Sequence, residues 1–100
     1  MQTELKGFQK AYLRGLGIKL QPHLKVGKKG LTPELLSELK YLFKHNELIK
    51  LKFGGDRDMM KTLLPQVAEE TKSTLAGAVG RTALFYLENT DPEVQSLALP

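Results

Sequence analysis

Gly27-Lys28-Lys29-Gly30 stands between two stretches of opposite periodicity, and that junction narrows the folds open to the chain. Leu20–Val26 before it reads as a strand, and from Leu31-Thr32-Pro33-Glu34 onward the sequence reads as an amphipathic helix. Thr32 suits the N-cap, Pro33 the first helical position, and Glu34 complements the dipole in the first turn. Leu35, Leu36, Leu39, Leu42 and Phe43 then form an apolar stripe, which Lys44-His45-Asn46 closes. The two glycines let the backbone turn tightly and pass close to a ligand, because no Cβ stands in the way. The lysines between them put two positive charges on the tip, and the free N–H groups of the helix start behind them favour an anion. Strand, lysine turn and helix start together read as a cradle for a phosphate group.

The same alternation continues along the chain. In Glu47–Phe53, Ile49, Leu51 and Phe53 point one way and Leu48, Lys50 and Lys52 the other, as expected of a sheet whose second face is partly wet. Gly54-Gly55 breaks that strand, and Asp56 can cap a helix over 57–71 with Met59, Met60, Leu63, Leu64, Val67 and Ala68 inward. Pro65 should kink or split that helix. Ser73–Val79 and Thr82–Leu87 read as a hairpin around Gly80-Arg81, and Gly77 hints at a bulge or a close backbone approach. At the front, Thr3–Leu16 reads as a helix with Leu5, Phe8 and Tyr12 towards the core and Lys6, Lys10 and Arg14 as a basic ridge; Gly15 and Gly17 are expected to end it. Pro22 confines the next strand to an edge or to the residues after it.

The predicted order is α-β-α-β-α-β-β, an α/β (mixed α+β) fold with a four-stranded mixed sheet packed by helices. Two β-α-β units imply right-handed crossovers, and the strand order stays open. Residues 1–88 are expected to form one domain and residues 89–100 a tail, with Glu93–Leu99 a short helix or frayed.

Several function classes drop out. There is no cysteine, hence no disulfide framework, thiolate nucleophile or cysteine-based zinc site. No apolar h-region or membrane-length run is present, so a cytoplasmic protein with no membrane partner is expected. His23 and His45 lack the companions that a metal or a reaction would need, and His23 is expected to be structural. Asp56 and Asp58 suit a helix start, while Glu69-Glu70 suits a solvated end. No catalytic pair, metal, cofactor or small-molecule substrate is expected, and the loop lacks the spacing of a P-loop. Charge is unevenly placed: residues 1–30 carry seven basic side chains against Glu4, whereas residues 54–100 carry four basic against seven acidic. A basic first third beside an acidic remainder suggests a binding face.

Leu13-Arg14-Gly15-Leu16, Leu20-Gln21-Pro22, Val26-Gly27-Lys28-Lys29-Gly30-Leu31-Thr32, Glu47-Leu48-Ile49-Lys50-Leu51-Lys52 and Gly80-Arg81-Thr82 together resemble the CRM domain, named for chloroplast RNA splicing and ribosome maturation. The closer likeness is to its bacterial stand-alone YhbY-like members, and it runs from about Leu5 to Tyr86. The resemblance implies a fold similar to the C-terminal domain of translation initiation factor three, RNA binding, and no catalysis. It also implies ribosomal RNA in precursors of the large subunit as the partner. The family's RNA-contacting GxxG loop falls on Gly27, Lys28, Lys29 and Gly30; its hairpin basic residue falls on Arg81, and its central-strand basic positions on Lys50 and Lys52. After Tyr86 the family often has a basic residue and a proline, where this chain has Leu87 and Glu88.

The expected mechanism is therefore a lysine loop that clamps RNA backbone, with Lys6, Lys10, Arg14 and Lys25 extending the positive track. Phe8, Phe43, Phe53 and Phe85 read as core, which leaves Tyr12, Tyr41 and Tyr86 as the aromatics that could stack on bases. A monomer that recognises RNA by shape is expected. The alternative is a protein-interaction module of a ribosome-associated complex that touches RNA little.

Overall fold

The computed structural model describes residues 4–89 together with 91, 93 and 99. Among these the elements are α1 (Gly7–Ile18), β1 (Leu24–Val26), α2 (Pro33–Phe43), β2 (Leu48–Phe53), α3 (Arg57–Thr71), β3 (Thr74–Val79) and β4 (Thr82–Tyr86). This is the predicted order. The strands form one sheet ordered β1-β2-β4-β3, with β1 parallel to β2 and β4 antiparallel to both β2 and β3. β2 and β3 therefore run the same way with β4 inserted between them, so α3 bridges a split β-α-β unit.

Alternation along the strands sends Val26, Ile49, Leu51, Phe53, Ala83 and Phe85 to one face. There α2 contributes Leu39 and Phe43, and α3 contributes Met60, Leu63 and Val67. Burying each such side chain contributes roughly 1.5–3 kcal/mol, which makes this face the main core. The opposite face carries Leu48, Ala76, Leu84 and Tyr86, covered by Leu5 and by Leu13 of α1. Among the described residues the result is three layers, with α1 seated mainly over β3 and Leu99 packed against the same cluster.

Helix α1 departs from the predicted pattern. Phe8 is 56% and Tyr12 40% exposed, whereas Leu13 and Gly17 are buried. Gly17 sets the rotation: a Cβ there would stand 2.3 Å from Leu84 Cδ1, so a glycine at this point lets the helix lie against β4. Gly15 and Gly17 thus lie within α1 instead of ending it. The helix closes after Ile18, where the N–H groups of Lys19 and Leu20 donate to Leu16 O and Gly17 O at 3.2 and 3.1 Å.

β1 is confined to the residues after Pro22 and His23, as expected. Two smaller differences follow from local chemistry. Pro65 leaves α3 unbroken; Pro65 and Lys61 are both exposed, so the Lys61 carbonyl that loses its usual donor lies on the wet side. Tyr86 is buried, which removes it from the aromatics available for stacking. The register shift between Leu75 and Gly77 is the expected irregularity. Of the segment expected over Glu93–Leu99 as a short helix or a frayed end, residues 94–98 lie outside the described residues.

Candidate nucleic-acid interface

Three glycine-bearing connections meet at one edge of the sheet. β1 and β2 are parallel, so the chain leaves both at the same end. The Gly80-Arg81 turn joins them there, because Thr82 pairs with Lys52 near the end of β2. Backbone bonds fasten the connections together: Gly54 N–H donates to Val26 O and Phe53 N–H to Arg81 O, each at 2.7 Å. The Arg81 guanidinium donates to Gly55 O. A Cβ on Gly54 would lie 3.9 Å from Gly27 Cα and 3.8 Å from Lys25 Cε, which shows how closely the first two connections approach.

Gly27-Lys28-Lys29-Gly30 is a tight turn in which Gly30 N–H donates to Gly27 O at 3.0 Å. Gly30 takes φ +73, a left-handed conformation that glycine adopts at little cost. The turn leaves Lys28 and Lys29 exposed at its tip. Behind it Thr32 Oγ1 accepts from Leu35 N–H at 3.2 Å, and at the neighbouring helix start Asp56 Oδ1 accepts from Met59 N–H at 2.8 Å. Each helix start thus caps itself and carries an acid in its first turn, Glu34 or Asp58. The attraction for an anion at this edge rests on the lysines and Arg81 more than on the helix dipoles.

Register adds a second group of cations. Lys25 and Lys52 are partners across β1 and β2, and both are exposed on the side of the sheet that faces α1. Like charges set opposite each other on neighbouring strands repel, and a bound anion relieves the repulsion. None of the four strands contains an acidic residue.

The other basic residues lie elsewhere or are already engaged. Lys50 Nζ donates to Gly17 O at 3.1 Å and to Leu20 O at 3.0 Å, so its ammonium holds the end of α1. Its N–H donates to His23 Nδ1 at 3.0 Å, while His23 N–H donates to Lys50 O at 2.7 Å. His23 is thus a structural tie between the β1 approach and β2, and burial holds its pKa below the usual 6.5. Lys6 stands at the N-cap of α1, Lys10 is half-buried, and the Arg14 stem lies against Gly77 of β3. This ridge runs over the β3 side of the sheet, whereas the lysine turn follows β1 at the other edge. The structure therefore gathers Gly27, Lys28, Lys29, Gly30, Lys25, Lys52 and Arg81, sets Lys6 and Lys10 apart from them, and brings Arg14 to the cleft beside Thr82, at the end of the row that holds Lys52 and Lys25.

The sequence marks Gly54-Gly55 only as a strand breaker, yet this pair packs between the lysine turn and Arg81. A signal was available: both glycine pairs follow a strand and precede a capped helix. Among the described residues, no group of three or more His, Cys, Asp or Glu side chains could hold a metal ion. No helix among them is long and apolar enough to cross a membrane.

Known proteins share this architecture. The chain is 32% identical over 94 residues to an RNA-binding protein of Haemophilus influenzae, covering 93% of this chain and 95% of that one. It is 35% identical over 85 residues to the probable RNA-binding protein PA4753 of Pseudomonas aeruginosa, covering 84% and 82%. The solution structure of the hypothetical protein SAV1595 from Staphylococcus aureus, a proposed RNA-binding protein, superposes with a TM-score of 0.81 at 28% identity. That superposition covers 97% of this chain and all of the other. The CRS1/YhbY (CRM) domain profile matches residues 5–86, and by that match the chain belongs to the CRS1/YhbY (CRM) domain family.

Proposed function

We propose that this protein is a non-catalytic RNA-binding protein that holds RNA backbone at the sheet edge built by Gly27-Lys28-Lys29-Gly30, Lys25, Lys52 and Arg81. The observation that carries the reading is the meeting of the lysine turn with the Lys25–Lys52 pair at one edge, on strands without a single acid. The names of the relatives support RNA as the partner. The family resemblance favours ribosomal RNA in large-subunit precursors during ribosome assembly, with the protein acting as a cytoplasmic monomer. Contacts of this kind position the protein on RNA and read shape more than sequence.

Binding to large-subunit ribosomal RNA fragments across a salt series tests this reading, with wild type beside Lys28→Ala/Lys29→Ala. The double variant should bind more weakly, and its salt slope should fall by up to about 0.7 for each phosphate of single-stranded RNA that is no longer neutralised. Unchanged affinity and slope would remove the turn from the interface. A second reading, a protein-interaction module of a ribosome-associated complex, draws on the exposed Phe8 and Tyr12 of α1. It would gain if the double variant still joined ribosomal particles normally.

A further inference from the structure

A groove of about 390 Å³ opens between the C-terminal half of α1 and the end of the β3–β4 hairpin, on the α1 side of the sheet. Its lining includes Arg14, Ile18, Gly77, Val79, Thr82 and Leu84. Leu84 is buried, while Ile18 and Val79 are 81% and 73% exposed, which makes the rim of the cleft apolar. Gly77 shapes one wall: a Cβ there would stand 2.6 Å from Arg14 Cδ, so the bare backbone lets the arginine stem lie against the strand. The Thr82 hydroxyl donates to Val79 O at 2.9 Å, which leaves its lone pairs free to accept a bond.

The groove is continuous with the cationic edge. Val79 pairs with Thr82, Thr82 with Lys52, and Lys52 with Lys25, so one row crosses the sheet from the groove to the lysine pair. Strands are spaced about 5 Å apart, which puts the two lysines one and two strand spacings from Thr82. Apolar walls, a guanidinium at the side, a hydroxyl acceptor and adjacent cations match a flat heterocycle joined to an anionic chain. An apolar peptide would fill the walls and leave the cations unused.

Building on the RNA-binding reading above, we propose that this groove takes one unstacked nucleobase of an RNA whose backbone passes along the Lys25–Lys52 row towards the lysine turn. Bases stack on guanidinium planes, and burying a base's apolar face against aliphatic side chains adds affinity without releasing counterions.

The test uses a single-stranded RNA hexanucleotide and its abasic ribose-phosphate counterpart, each titrated into isotopically labelled protein. Methyl resonances of Ile18, Val79 and Leu84 report the groove, and amide resonances of Lys28 and Lys29 report the turn. The hexanucleotide should shift both sets, and the abasic chain only the amides. Ile18→Ser/Val79→Ser, at two exposed positions, removes the aliphatic contact and should weaken hexanucleotide binding about ten-fold with an unchanged salt slope. Shifts at the turn with silent groove methyls would overturn the base site and leave the RNA-binding reading standing. Groove shifts of equal size with the abasic chain would overturn it too, since the groove would then be sensing backbone. Methyl shifts that follow protein concentration without RNA would give the groove to a second copy of the chain. Silence at both places would overturn the base site, and the RNA-binding reading would fall with it if large-subunit ribosomal RNA fragments left the Lys28 and Lys29 amides silent as well.

Discussion

The Lys50 ammonium donates to Gly17 O across 3.1 Å, so a lysine in the middle of the sheet closes the end of the helix lying above it. The same group reaches Leu20 O at 3.0 Å. Helix ends leave carbonyls without partners, and this end is half-covered by the sheet. Lys50→Met should therefore lower stability by about 1–3 kcal/mol in urea unfolding, the usual range when a charged hydrogen bond is removed. RNA affinity of the folded variant should fall less than that of Lys28→Ala/Lys29→Ala. A variant as stable as wild type but defective in binding would instead place Lys50 on the RNA.

Two glycines in one helix should respond in opposite directions. A Cβ on Gly15 would meet open space, and helical alanine is favoured over glycine, so Gly15→Ala should stabilise by roughly 0.5–1 kcal/mol. Gly17→Ala meets the buried Leu84 side chain and should cost about 1–3 kcal/mol through overpacking. Thermal unfolding of the single variants and of Gly17→Ala/Leu84→Ala checks this pairing. If the two positions touch as described, their effects will not add.

These glycines also mark where the sequence stops being legible. The strands, α2, α3 and the hairpin each carry a local signal in their alternation, capping residues or turn glycines, and those elements appear in the predicted order. The rotation of α1 has no local signal of that kind. Leu5, Phe8 and Tyr12 fit a helical period, but the buried line is set by how closely Gly17 approaches Leu84, a residue far away in the chain. The site divides in the same way. The lysine turn is readable from two glycines and a helix start, whereas the partnership of Lys25 with Lys52 depends on a strand register that no local pattern specifies. Lys50 reads as one more free cation because its acceptors belong to the end of a helix some thirty residues earlier.

Asp56 offers a separation of stability from binding. Its carboxylate accepts from Met59 N–H at 2.8 Å as the N-cap of α3, and it adjoins Gly55 at the cationic edge. Asp56→Ala should cost about 1 kcal/mol of stability, in line with other N-cap losses. It also removes a negative charge beside the proposed RNA path, so affinity measured at low salt should hold or rise. A parallel fall in both quantities would count against an RNA path along this edge.

His23 should make stability depend on pH in one direction. Its Nδ1 accepts from Lys50 N–H, which requires the neutral ring, and burial lowers its folded-state pKa below the ordinary 6.5. Between that lowered value and 6.5 the unfolded chain holds more protons than the folded one, so stability falls as pH drops. The contribution is fully present above 6.5, shrinks as pH falls towards the folded value, and is lost below it. Urea midpoints taken between about pH 8 and pH 5 should follow this course in wild type. His23→Asn keeps a side-chain acceptor without a titrating ring and should flatten the profile across the same window. A wild-type midpoint that stays level there, or a variant that falls as steeply, would mean that protonation of His23 leaves its tie to Lys50 intact.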